Sequence, residues 1–199
     1  MLDASRLTAI ITAISFAVGL NLYITVAALG LLARFHWIQL PTGLSLLEHT
    51  PVIVVAIALS IVEGVADKIP YVDLVWNAFH TFIRIPAAAL LAYHAGSVLS
   101  PTDQVLVTVI AAAVASIAHF GKSSARLAVS ATPEPFSNAG LSTIEDISAA
   151  GLTWFATTHP YWAGGVAIAG MVAILCVMRF LLVGLRRVWA QLRGGMSRV

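Results

Sequence analysis

An all-α integral membrane protein is the fold class this sequence predicts, on three observations. The 199 residues are 59% hydrophobic and only 10% charged, and mean hydropathy is +0.92, a balance outside that of soluble domains. Apolar stretches recur at about 7 to 35, 51 to 66, 71 to 95, 104 to 119, 141 to 158 and 161 to 185, each near the length a bilayer core demands. The few ionisable residues concentrate in two places instead of scattering. The expected architecture is a single domain over 1–199 with about six transmembrane helices. Residues 186–199 form a basic tail, and 1–99 and 100–185 form two inverted three-helix repeats with broken or re-entrant helices.

The first stretch begins after Arg6 like a signal peptide but runs on to Phe35 with no small-residue cleavage site, so it is expected to remain. Its 29 residues would reach about 43 Å against a core of about 30 Å, which requires a helix that is tilted or broken. Gly19 and Asn21 are the natural break, and a break would let Asn21 and Tyr23 line a cavity. Beyond Trp37, Ser45 and Glu48 have capping-box spacing, while Thr50-Pro51 offers a second helix start. This second helix ends in Glu63 and Asp67, four residues apart and therefore on one face.

The third helix carries Asp73, Asn77, His80 and Arg84 at steps of four, three and four, one polar stripe at helical period. Arg84 falls near its midpoint, where a charge costs roughly 2.5 to 3.5 kcal/mol and demands a partner. Pro86 frees the carbonyl of Phe82 one turn away. Ala88, Ala92 and Gly96 form a small-residue ridge suited to close helix contact, and hence to a homo-oligomer. The fourth helix leads into His119, Lys122, Ser123, Arg126 and Ser130. Prolines 133 and 135 then stop it, leaving a polar connection. Ser142 and Glu145 repeat the capping-box spacing before a weakly apolar fifth helix, with Asp146 complementing the helix dipole. The glycine-rich last helix contains the single cysteine, Cys176, which excludes an internal disulfide.

Arg186, Arg187, Arg193 and Arg198 follow the last helix with no acidic residue beside them, which places the C-terminus in the cytoplasm. Six crossings put the N-terminus there too, with Lys68, Lys122 and Arg126 at inner ends and Arg34 outside. The repeat rests on three matches. Leu44-Ser45 to Glu48 parallels Leu141-Ser142 to Glu145, Pro70-Tyr71 parallels Pro160-Tyr161, and Gly19 parallels Gly121, at offsets of 97, 90 and 102 residues. Such halves typify transporters and channels.

Glu63-x-x-x-Asp67-Lys68-x-Pro70-x-x-Asp73, then His80-Thr-x-x-Arg84 and Ser142-x-x-Glu145-Asp146, resembles the uncharacterised bacterial membrane proteins grouped as domain of unknown function 4126. The resemblance spans most of the chain. It implies a small multi-pass protein of the bacterial inner membrane and implies no activity.

Three functional classes follow. In the first, Glu63, Asp67, Lys68, Asp73, Asn77, His80, Arg84, His119, Lys122, Arg126, Glu145 and Asp146 line a charged cavity of a transporter, channel or lipid-translocating protein, whose basic groups take an anion or lipid phosphate. In the second, the same charges pair internally in a structural or assembly subunit. In the third, Asp67, Asp73 and His80 hold a divalent cation for chemistry on lipid phosphate. Metalloprotease, nucleophile-elbow, Walker and dinucleotide motifs are absent from the sequence. No cofactor, resident metal or nucleic acid is expected; membrane lipids are the expected partners.

Overall fold

The computed structural model describes residues 3–69, 71–130 and 135–196. Among them the α-helices are α1 (Ala4–Leu20), α2 (Leu22–Arg34), α3 (Thr50–Ala66), α4 (Val72–Ala95), α5 (Pro101–Ser130), α6 (Pro135–Thr158) and α7 (Pro160–Met196), with 3-10 turns at Thr42–Glu48 and Gly96–Val98. Every residue from Ile11 to Gly19 is buried, because α1 is apolar all round and packs against α4, α5, α6 and α7. Gly19 is required here, since a Cβ would lie 2.6 Å from both the Ala115 carbonyl and the Ala118 methyl of α5.

The chain breaks at Asn21, whose extended backbone (φ −149°, ψ 106°) ends α1 while its side chain accepts from the Ile24 N–H to cap α2. It then doubles back. Arg6 and Leu7 at the start of α1 line the same cavity as Trp37, Ile38 and Leu40 beyond α2, and Leu29 of α2 faces it together with Ile14 and Val18. A continuous helix would hold Leu7 and Leu40 about 50 Å apart. At 17 and 13 residues, the arms reach about 26 and 20 Å. The first apolar stretch is therefore a helical hairpin and not one crossing.

The remaining helices alternate in direction around it. Arg84, midway along α4, reaches the tip of α1, while Ala95 at the far end of α4 lines the cavity beside Leu7. Gly164 of α7 meets Ala9 and Gly170 meets Phe16, so α7 runs parallel to α1. Ser5 and Tyr161 share a 2.9 Å hydrogen bond, placing the N-terminus beside the first turn of α7. α7 then carries the chain away along its 37 residues. The described ends therefore lie at opposite ends of the bundle.

Val72–Val98, Pro101–Leu127 and Pro160–Gly184 are long and apolar enough to cross a membrane, and Thr42–Glu48 with Thr50–Ala66, bent by 66°, adds a fourth candidate. The polarity is inside out. Phe82 is 80% exposed and Phe180 78%, whereas Glu63, Arg84 and Arg126 are fully buried. Only a lipid surround makes that distribution favourable, so the chain is built as a membrane protein.

Other expectations need correction. Among the described residues four α-helices precede residue 100 and three follow it, so an element-for-element repeat is not seen there. Neither capping box forms. Ser45 and Glu48 lie in a 3-10 turn without a side-chain cap, and α3 starts near the alternative site but one residue early, with His49 and not Thr50 as its N-cap and Pro51 in its first turn. Ser142 and Glu145 lie inside α6, which begins at Pro135. The Ala88, Ala92 and Gly96 ridge is buried within the chain, where it serves close helix contact. Pro70, the 131–134 connection and Arg198 lie outside the described residues, as do the side chains of Ser130, Arg187 and Arg193.

Candidate functional site

The break at Asn21 leaves the last carbonyls of α1 without helical partners, at the negative end of its dipole. Two cations meet them. Arg84 donates to the Gly19 and Leu20 carbonyls at 3.4 and 3.2 Å, and Lys122 Nζ to Leu20 at 3.1 Å. From this point a buried cluster extends between α3, α4, α5 and α6.

Each helix supplies its charges by period. The buried face of α4 reads Asp73, Asn77, His80, Arg84, Ala88, Ala92 and Ala95, the stripe legible in the sequence continued by small residues. On α5, His119, Lys122 and Arg126 follow Ala111, Ala115 and Ala118. Asn138, Ser142, Glu145 and Ala149 line up on α6. The S-x-x-E spacing that makes a capping box at a helix end puts both side chains on one face in a helix interior.

Arg84 pairs through Nη2 with Glu63 Oε1. Lys122 Nζ lies 3.0 Å from Glu63, 3.4 Å from Asp67 and 3.3 Å from Glu145. Arg126 is the hub, at 2.8 Å from Asp67, 2.5 Å from Glu145 and 3.4 Å from Asp73, while also donating to the Asp67 carbonyl at 2.8 Å. Ser142 Oγ adds a 3.4 Å bond to Asp67. Tyr71, at φ 70° in the left-handed region, turns the chain between α3 and α4, and Asp67 and Asp73 meet the same guanidinium from either side of that turn.

The histidines sit beside the ion pairs in assignable tautomers. His80 Nδ1 faces the Trp76 carbonyl at 2.7 Å and must donate, so its Nε2 accepts from the Tyr23 hydroxyl at 2.8 Å. His119 Nδ1 faces the donor-only Arg84 at 3.3 Å and must accept, so its Nε2–H donates to Thr81 Oγ1 at 2.8 Å, and Thr81 donates to the Asn77 carbonyl. Asn21 Nδ2 donates to Asp146 at 2.8 Å and ties the hairpin tip to α6.

The structure thus gathers Glu63, Asp67, Asp73, Asn77, His80, Arg84, His119, Lys122, Arg126, Glu145 and Asp146. Lys68 is exposed on the α3–α4 connection, outside the cluster. The carbonyls of Gly19 and Leu20 were not signalled by the sequence, since a backbone acceptor has no residue signature, and Thr81 stood in the His80-Thr-x-x-Arg84 motif without a role assigned to it. The divalent-cation site does not assemble: His80 turns to Tyr23 and Trp76, and no three His, Cys, Asp or Glu side chains among the described residues are placed to hold a metal. Nor do the basic groups wait for an anion, because Arg84, Lys122 and Arg126 each already hold a carboxylate oxygen.

What is left open among the described residues lies mainly on the acceptor side, with Arg84 Nε and Trp76 Nε1 as buried donors that also lack a partner. Four fully or nearly buried carboxylates, Glu63, Asp67, Asp73 and Glu145, face three cations. Glu63 Oε2, Asp67 Oδ1, Asp73 Oδ2 and Asn77 Oδ1 are buried without a hydrogen-bond donor.

A family profile described as Domain of unknown function (DUF4126) matches residues 8–180. The chain belongs to this family. Every residue of the cluster falls inside the matched region. No curated protein and no solved structure matches the chain.

Proposed function

We propose that this DUF4126 protein conducts or carries a positive ion, with the buried cluster below the hairpin tip as its ion-handling centre and a proton as the occupant. One observation carries the reading: leaving aside half-buried Asp146, which Asn21 holds, the buried part of the cluster has one more carboxylate than cations, and its unpartnered buried atoms are mainly oxygens. An uncompensated buried charge is far too costly to persist. Asp73 is the least compensated, since its one cation contact is Arg126 at 3.4 Å, already shared with Asp67 and Glu145. A proton on Asp73 balances the cluster and supplies the donor that the neighbouring acceptors lack. Loss and recovery of that proton would shift how Arg126 is divided among three carboxylates. The α1 carbonyls at the break resemble the half-helix ends that coordinate ions near the midplane of many transporters.

In the membrane path that accompanies this reading, α3 to α7 cross and α1–α2 enters and leaves by one face. The basic end of α7 is cytoplasmic by the positive-inside rule, and the N-terminus is on the other side. The membrane is the bacterial inner membrane. The inverted repeat has no part in this reading.

The structural-subunit reading has its own support, because the ion pairs are closed and Arg84, Lys122 and Arg126 are buried. Flux separates the two. Proteoliposomes with a trapped pH dye, challenged with proton, Na⁺ and K⁺ gradients, should dissipate the proton gradient well above empty vesicles, and Asp73→Asn should cut that rate at least tenfold. Wild-type flux equal to empty vesicles would leave the structural reading; flux of Na⁺ or K⁺ without protons would replace the occupant.

A further inference from the structure

The arms of the hairpin splay apart, and the gap between them is a cavity of about 230 Å³ that no ion pair enters. Leu7, Ile14, Val18, Leu29, Leu40 and Leu91 line it. Its inner end is closed by buried Val18 and Ala88, and its outer end carries exposed Arg6, Trp37 and Gln39. The volume is that of roughly eight waters, yet a buried water needs two to four polar partners, and an apolar cavity of about 150 Å³ stays dry and takes an apolar ligand. From Leu7 to Val18 the cavity follows eleven helical steps, about 17 Å. One leaflet of a bilayer core is about 15 Å.

We infer that this cavity binds one acyl chain of an anionic phospholipid, inserted between α1, α2 and α4 with its phosphate at Arg6. Depth, a mostly apolar lining and the exposed Arg6 and Trp37 at one end fit a chain entering from one leaflet, and the cation there selects the head group. Arginine suits phosphate by bidentate hydrogen bonding, and Trp37, 72% exposed, has the amphipathic ring that settles at the head-group level. The inference is independent of what the ion cluster carries. It differs from a bulk-lipid contact because the chain lies inside the fold and not on its surface.

Native mass spectrometry of the detergent-purified protein, supplied with dioleoyl phosphatidylglycerol or dioleoyl phosphatidylcholine, tests it. Wild type should retain one lipid per chain, with phosphatidylglycerol favoured at least fivefold. Leu40→Trp, which fills the cavity from its partly exposed side, should lose the retained lipid while eluting as the same monodisperse species. Arg6→Gln, a surface change that leaves folding intact, should keep a lipid but lose the head-group preference. A wild-type chain that retains none, or equal retention in Leu40→Trp, would overturn the cavity assignment. Undiminished preference in Arg6→Gln would overturn the role of Arg6.

Discussion

Arg84 shows what one residue must satisfy to be charged at the centre of a membrane helix. Its guanidinium meets Glu63, two carbonyls at the end of α1 and the acceptor nitrogen of His119, so the charge is neutralised while Nε–H stays without a partner. Removing it strands Glu63 with Lys122 as its remaining cation. Arg84→Met should therefore cost about 3 to 5 kcal/mol, seen as a large loss of thermal stability in detergent. Glu63→Gln added to Arg84→Met should recover much of that loss, because a neutral amide no longer needs the cation. A double variant no more stable than Arg84→Met would mean that the carbonyl bonds, and not the ion pair, are what Arg84 supplies.

At the scale of the element, α1 is positioned by close approach and not by side-chain bulk. Gly19 touches α5 backbone, so Gly19→Ala must push α1 and its carbonyls away from Arg84 and Lys122, a strain of about 1 to 3 kcal/mol. Gly64 on α3 has open space around its Cα, and Gly64→Ala should leave stability unchanged or slightly improved by helix propensity. Differential scanning fluorimetry of the two variants separates a packing glycine from an incidental one. Much at this scale was legible in the sequence. The Asp73, Asn77, His80 and Arg84 stripe, the Glu63 and Asp67 pair and the break at Gly19 and Asn21 all follow from helical period and from the helix-breaking character of glycine and asparagine. The role of Glu145 was not, because S-x-x-E reads alike at a helix start and on an inward face. The reversal at Asn21 was hidden as well: two short apolar arms and one tilted crossing have the same composition, and only the partners of Leu7 and Leu40 distinguish them.

For the whole molecule, the hairpin sets the topology and puts the cluster between its tip and the α3–α4 turn. On the proposed membrane path, both Asp3 and Gln39 face one side of the membrane and Lys68 the other. In a Cys176→Ser background, single cysteines at the three positions, probed in oriented vesicles with an impermeant maleimide, should label Asp3→Cys and Gln39→Cys together and Lys68→Cys only after permeabilisation, or the reverse in inverted vesicles. A first stretch that crosses the membrane would instead separate Asp3→Cys from Gln39→Cys.

The charge balance of the cluster is open to direct observation by infrared spectroscopy of the purified protein at neutral pH, read at the carbonyl stretch of a protonated carboxylic acid. A proton resident on Asp73 gives such a band in wild type, shifted by deuterium exchange, absent in Asp73→Asn and kept in Glu63→Gln. A wild-type spectrum without any protonated-carboxyl band would mean that all four buried carboxylates are ionised together, and would contradict the proton-handling centre.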